Sequence, residues 1–170
     1  MATTINDLRS LSDPLLPFMF DVQIAEMKGD SGVGSEEFNF RCMSTSKPGM
    51  TIDPIEVQLH GHTLRYSGGI AYDGSWTTEV QEGLNANVRD RLYKWMRYMH
   101  NPETSLMRNK VDYQTTALVL QYDNDPNNIV ETTQLIGVWP SAIESIALSG
   151  SDKSAMMLSI TWTYDYWNKL

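Results

Sequence analysis

The sequence predicts a mainly β domain: an antiparallel two-sheet β-sandwich or barrel with one flanking α-helix, an extended N-terminal arm and a long projecting hairpin. Three observations predict it. Apolar and polar residues alternate with period two in about eight short stretches, and a strand sends successive side chains to opposite faces. Turn material recurs between these stretches, as in Gly-Asp-Ser-Gly-Val-Gly-Ser at 29–35 and Asp-Asn-Asp-Pro-Asn-Asn at 123–128. Helical periodicity is strong in one stretch, 87–100.

Residues 1–17 read as an arm. Leu8, Leu11, Leu15 and Leu16 are set among polar residues, and Pro14 and Pro17 block a regular element. Four leucines left in water are costly, so the arm is expected to dock on its own domain or on a neighbour. The body is a single domain over 18–170. Phe18, Phe20, Val22 and Ile24 alternate with Met19, Asp21, Gln23 and Ala25 as the first strand, and Phe38, Phe40 and Cys42 continue the pattern as the second strand of a hairpin.

Residues 44–71 form an excursion. Pro48-Gly49 and Asp53-Pro54 punctuate it, Ser67-Gly-Gly69 closes it, and Ile55, Val57 and Leu59 alternate with Glu56, Gln58 and His60. This reads as a hairpin projecting from the body, and long excursions of this kind are usually functional. Trp76, Thr78 and Val80 then share one phase of a strand that returns to the sheet.

In the helix over 87–100, Val88, Leu92, Trp95, Met96 and Met99 make one apolar stripe. Asn87 is placed to cap it, Asp90 lies near its positive end, and Asn101-Pro102 ends it. A polar connection leads to a strand at 115–122. The chain returns over 129–138, Pro140 interrupts, and a further strand is expected over 142–149. The last strand runs over 155–167 and from Leu158 alternates without a break. Leu158, Ile160, Trp162, Tyr164 and Tyr166 point one way, and Ser159, Thr161, Thr163 and Asp165 the other. It carries neither Pro nor Lys, the residues that protect an exposed edge, so it is expected to seek a partner strand, in a copy of the chain if not in its own.

The 170 residues suffice for one domain burying about 70% of its unfolded surface. No apolar run approaches the ~20 residues of a membrane span, so no membrane anchor is expected. The N-terminus has no basic and apolar signal-like regions, and the lone Cys42 fits a reducing site of synthesis. Formal net charge is −8; the 87–100 helix holds four cations against Asp90, a local +3, which leaves −11 on the rest. A chain this acidic repels nucleic acid, which helps if DNA must slide past it without sticking.

No phosphate-cradling glycine loop, nucleophile elbow, cysteine pair or zinc-protease signature is present, so no catalysis and no cofactor are expected. His60-Gly-His62 offers two metal ligands, but His100 and Cys42 lie far away in sequence, and a pair of solvated histidines in a polar hairpin is the better reading. Glu36-Glu37 and Asp123/Asp125 read as acidic turns rather than calcium loops. Cys42 reads as a small buried hydrophobe. More informative are the polar strand phases: Asp21 and Gln23; Gln121; Glu131 and Thr133; Ser159, Thr161 and Thr163. Short side chains with no Lys among them suit a crowded surface or the wall of a water-filled channel.

In the order and spacing of its anchors the sequence resembles the tail tube proteins of contractile-tailed bacteriophages. The anchors are Phe20-Asp-Val-Gln-Ile24, Phe40-Arg-Cys-Met-Ser-Thr-Ser-Lys-Pro-Gly49, Trp76-Thr-Thr-Glu-Val80, Leu92-Tyr-Lys-Trp95, Ile136-Gly-Val-Trp-Pro140 and Thr163-Tyr-Asp-Tyr-Trp167. Together they cover 18–167. The resemblance implies that six copies form a ring, that their inner sheets join into a continuous barrel around a channel, and that rings stack into a tube driven through the host envelope when a surrounding sheath contracts. It implies as partners the chain itself, the tail sheath, baseplate and tail-terminator proteins, and the tape-measure protein and DNA in the lumen. The setting is the virion tail, assembled in the host cytoplasm. Ser159, Thr161, Thr163, Thr133, Glu131 and Gln121 are then lumen-lining candidates. Leu8, Leu11, Pro48, Met50, Ile52, Ile55, His60 and Arg65 are candidates for contacts between subunits and rings, and Arg89, Lys94 and Arg97 for the outer, sheath- or neighbour-facing surface. A tube of type VI secretion or another contractile injection device, or a baseplate tube initiator, is a related reading. A small-ligand β-barrel carrier is the unrelated one, with five tryptophans and ten methionines available to line a pocket.

Overall fold

The computed structural model describes residues 14–29, 35–151 and 153–170, together with Ile5 and Arg9. Leu8 and Leu11 lie outside the described residues. The elements in chain order are β1 (Phe20–Ile24), α1 (Glu36–Arg41), β2 (Cys42–Thr45), β3 (Met50–Leu59), β4 (His62–Tyr72), β5 (Ser75–Gln81), α2 (Asn87–Met99), β6 (His100–Asn101), β7 (Leu106–Met107), α3 (Lys110–Tyr113), β8 (Thr115–Tyr122), β9 (Ile129–Ile143), β10 (Met157–Thr163) and β11 (Tyr166–Lys169).

Seven strands form an antiparallel sheet in the order β1-β8-β9-β10-β5-β2, with β11 also pairing β9. The long β9 divides it into two layers. Its first part pairs β8 and β11, with Val119 opposite Thr133 and Trp167 opposite Leu135; its last part pairs β10, with Thr161 opposite Ala142. The layers share one core: Val22, Val119 and Leu135 from the first meet Trp76, Leu158, Ile160 and Trp162 from the second. The free ends β1 and β2 do not pair, so this is a sandwich and not a closed barrel.

The core centres on Trp162. Its ring lies 5.6 Å from Phe38, 5.8 Å from Trp76 and 5.8 Å from Trp95, and all four side chains are fully buried. A buried indole N–H needs an acceptor, and each has one. Trp162 Nε1 donates to Thr78 Oγ1 at 2.9 Å, Trp76 Nε1 to Thr45 Oγ1 at 2.8 Å, and Trp95 Nε1 to the Tyr113 carbonyl at 2.9 Å. The tryptophans fill the space that a ligand carrier would need.

The structure corrects several expectations. The last strand is two strands. At Tyr164 and Asp165 the chain leaves the second layer, and β11 joins the first: Tyr164 N–H donates to Gly74 O and Asp165 N–H to Ile136 O. Nor is its main part an edge, because β10 lies between β5 and β9. Residues 36–41 are helical, not extended. Glu36 and Glu37 sit in the first turn, Arg41 in the last, and Glu37 pairs with Arg41 across one turn at 3.2 Å. Phe38 goes to the core and Phe40 is 87% exposed. Phe18 is exposed and precedes β1. Pro140 does not stop β9, because it sits where β9 has only β10 beside it, the position that tolerates a missing donor. Among the described residues beyond Ile143 no strand follows until β10. Asn87 does not cap α2, since its amide donates to Glu37 Oε2. The cap is Glu82, whose carboxylate accepts the N–H groups of Val88 at 3.3 Å and Arg89 at 2.9 Å.

Candidate functional surfaces

Alternation in the second layer creates an outward face of short polar side chains. While Leu158, Ile160 and Trp162 point into the core, Ser159, Thr161 and Thr163 point away from it. Opposite them on β5 stand Glu79, Thr77 and Ser75 in register. From the next strand Ser44 Oγ donates to Glu79 Oε2 at 2.9 Å, and just beyond it Ser46 Oγ lies 3.2 Å from Thr77 Oγ1. On the other side Ser141 Oγ donates to the Thr161 carbonyl at 3.0 Å. The strands β2, β5, β10 and the shared part of β9 carry no Lys or Arg. Glu79, Thr77 and Ser75 escaped the sequence reading, which followed the buried phase of β5; its complementary phase holds the signal.

The other three candidates for that face lie elsewhere. Thr133 is 3% exposed, in the inward phase with Leu135 and packed in register against Val119. It does not belong to any outward face. Glu131 accepts Lys47 Nζ at 2.6 Å and lies 3.7 Å from Lys169 Nζ. The Lys47 hydrogen bond holds its carboxyl below the usual range against a smaller desolvation cost. Gln121, across from Glu131, is half-buried.

The β3–β4 hairpin is exposed along its length and turns at His60 (φ 49°) and Gly61 (φ 79°). Both turn residues are left-handed, the two-residue turn that matches strand twist. His60 and His62 thus flank a hairpin tip, and among the described residues no group of His, Cys, Asp and Glu could hold a metal ion. Met50, Ile52, Ile55, Val57, Leu59, Leu64, Tyr66 and Ile70 are each between 36% and 57% exposed. Arg65 Nε donates to Glu56 Oε1 at 2.8 Å across the strands. Pro48 is half-buried at the hairpin's base, where Trp167 Nε1 donates to the Gly49 carbonyl at 3.1 Å.

On α2, Val88, Leu92 and Trp95 enter the core, and Arg89 and Lys94 face out. Lys94 lies 2.9 Å from Asp90, and Arg97 lies 2.6 Å from Glu103 with its guanidinium 5.5 Å from the Tyr93 ring centre. Cys42 is half-buried, and desolvation, aided by Asp21, pushes its thiol up to about 12, so it stays protonated and unreactive at neutral pH.

A complete core, a polar hydroxyl-lined sheet face and an apolar hairpin held out in solvent describe a part of something larger. The sequence profile of the phage tail tube protein family matches residues 15–170. The chain belongs to the phage tail tube protein family. It is a structural tail tube subunit, and the resemblance read from its anchors is upheld. No curated protein sequence matches it. Its fold is similar to three cryo-EM structures. One is the six-fold symmetrised anti-feeding prophage baseplate, with TM-score 0.71, 12% identity, and coverage of 94% of this chain and 97% of that one. Another is the anti-feeding prophage tube-terminating cap, with TM-score 0.69, 14% identity, and coverage of 95% and 93%. The third is the sheath–tube complex of an extracellular contractile injection system in its extended state, with TM-score 0.66, 14% identity, and 99% of both chains covered. Among the described residues of this tail tube subunit, no helix is long and apolar enough to cross a membrane.

Proposed function

We propose that this tail tube subunit closes into hexameric rings that stack into a hollow tube, with the outward face of the second layer lining the channel and the β3–β4 hairpin reaching neighbouring copies. The observation that carries this reading is the hairpin. Eight large apolar side chains stand half-exposed on a two-stranded ribbon while the domain behind it has its own filled core. A contiguous apolar surface of this kind marks an interface, and in a tube subunit the most abundant partner is another copy. The free ends β1 and β2 add unpaired backbone donors and acceptors that a neighbour can satisfy.

The tube works without catalysis. It transmits force from a contracting sheath and passes DNA down a wall of Ser44, Thr77, Glu79, Ser159, Thr161 and Thr163. The sheath, baseplate and terminator proteins are its partners outside and at the ends, and the tape-measure protein and DNA lie inside without sequence-specific contact. Arg89, Lys94 and Arg97 face outward toward the sheath or a neighbouring subunit. Assembly takes place in the host cytoplasm, and the product is the virion tail.

Negative-stain electron micrographs of the purified protein test this. Rings or tubes with a central channel are expected as concentration rises. A strict monomer at every concentration overturns the reading. Antibody labelling of whole tails places the subunit: decoration along the whole length marks the main tube, and decoration at one end a baseplate or terminal ring.

A further inference from the structure

β1 ends the sheet, so half of its backbone groups turn away from the ladder, toward water or another strand. The register says which half. At the two ends of the β1–β8 ladder, Tyr122 N–H donates to the Met19 carbonyl and Ala25 N–H to the Thr116 carbonyl. Odd-numbered residues therefore bond to β8, and the N–H and C=O groups of Phe20, Val22 and Ile24 face the free edge.

Half of these groups already have partners. Val22 N–H donates to Asp21 Oδ1 at 2.9 Å. Ile24 N–H donates to Asn39 Oδ1 at 3.1 Å, and the Ile24 carbonyl accepts Ser35 Oγ. Asn39 Nδ2 closes the circuit by reaching Ser35 Oγ at 3.4 Å. In an antiparallel sheet a residue of a hydrogen-bonded pair both donates to and accepts from its opposite number. Asn39 and Ser35 do the same for Ile24 with side chains. Asn39 lies in α1 and Ser35 at its N-cap position, yet Ser35 makes no side-chain cap bond to the helix it precedes. Among the described residues, what stays open on this edge is Phe20 and the Val22 carbonyl. That is too little for a ladder, since the shortest strands run to about three residues.

We infer, resting on the self-assembly reading above, that α1 is an edge guard: Ser35 and Asn39 take the place of a strand beside Ile24 and bar β1 of one copy from adding a strand of another. The guard is anchored. Phe38 is fully buried with its ring 5.6 Å from that of Trp162, and Glu37 meets Arg41 at 3.2 Å and the Asn87 amide at 3.2 Å. Moving α1 aside would pull Phe38 out of the core. A chain that assembles with its own copies brings sheet edges together at high local concentration, where an open edge invites open-ended sheets in place of closed rings. Strand pairing between copies is thereby kept away from Ile24.

The test compares Asn39→Leu, which removes the acceptor, with Asn39→Asp, which keeps it. Leucine favours a helix more than aspartate does, so simple weakening of α1 would harm the aspartate variant more. In dilute chain, the Ile24 amide is expected to exchange with solvent deuterium about fivefold faster or more in Asn39→Leu than in native chain, the worth of one hydrogen bond. In Asn39→Asp it stays near native. On concentration, Asn39→Leu is expected to form thioflavin-positive sheets in which the incoming strand protects the Ile24 amide again, while Asn39→Asp and native chain form none. Unchanged exchange in Asn39→Leu overturns the guard. So do sheets formed equally by both variants, sheets in which the Ile24 amide stays exchangeable, or no sheets at all. Native chain that forms neither rings nor tubes overturns the tube reading instead, and the guard then stands or falls on the exchange and the sheets.

Discussion

Trp162 and Gly137 set the fold at the level of single residues. Trp162 is the hub of the aromatic cluster and holds the buried Thr78 hydroxyl. Trp162→Ala opens a cavity and strips Thr78 of its partner, so it is expected to cost about 3–5 kcal/mol in denaturant unfolding of the monomer. An unchanged midpoint would place this side chain outside the core. Gly137 has φ +74° at the point where β9 passes from one layer to the other, and the space a Cβ would take is filled by the Asp165 carboxylate, itself paired with Lys110. Gly137→Ala therefore suffers both a strained backbone and a collision. The expected loss is roughly 1–3 kcal/mol, read as a lowered Tm, and an alanine variant that melts like the native chain would refute it. Gly137 and Asp165 also explain two anchors of the resemblance. Gly-Val-Trp-Pro and Asp-Tyr-Trp lie apart in sequence, yet they are the two crossings between layers and they touch.

Among the elements, α2 begins unusually. Ala86 is left-handed (φ 50°) and has no side chain to cap with, so Glu82 supplies both oxygens from before the turn. Glu82→Ala should cost about 1 kcal/mol, the worth of a cap, with helical circular dichroism lost first on heating; full retention of Tm would show the cap to be idle. The sequence pointed to Asn87 because it scores caps by residue type and cannot see a carboxylate returning from five residues upstream. The same limit explains the other misreadings. Over 36–41, six residues are too few to separate period two from period 3.6, and Phe38/Phe40 fit both until tertiary contact sends one in and leaves the other out. From Leu158 onward the alternation is real, but a chain can change layers at Tyr164 without breaking it. What alternation does convey is the face of each side chain. That made Trp76, Trp162 and the Ser159–Thr163 phase legible, as the helical period did Trp95, whereas Thr133 failed because its polar type disguised an inward position. Glu131 links the first layer to the second through Lys47, and pairs with Lys169 within the first layer. Its folded-state carboxyl is held below the ordinary range, so the link contributes fully above the unfolded pKa and is lost as pH falls through the folded one. Native chain and Glu131→Gln should therefore differ in unfolding free energy at neutral pH, by no more than ~1 kcal/mol for a pair this close to the surface, and converge in acid. A difference that grows on acidification would contradict this.

For the whole molecule the question raised by the proposed tube is which face would line its channel. The outward face of the second layer has the properties a conduit needs: short side chains, a hydroxyl pair at Ser46 and Thr77, a carboxylate at Glu79 engaged by Ser44, and no Lys or Arg on its strands. Phosphates bind lysine by releasing counterions, so every lysine on a channel wall adds a salt-dependent drag that a threonine does not. Thr161 and Thr163 stand opposite Thr77 and Ser75 on the inner strand pair of the second layer, with Thr163 at the end nearer the base of the hairpin. Thr161→Lys with Thr163→Lys is therefore expected to leave tube length in micrographs unchanged and to reduce the fraction of genomes ejected, while Thr161→Ser with Thr163→Ser ejects normally. Rising salt should restore ejection in the lysine variant, because screening weakens phosphate contacts and leaves a steric obstruction untouched. Normal ejection by the lysine variant would assign the channel wall to another surface, and a defect indifferent to salt would mean that the longer side chains block the bore rather than hold the DNA.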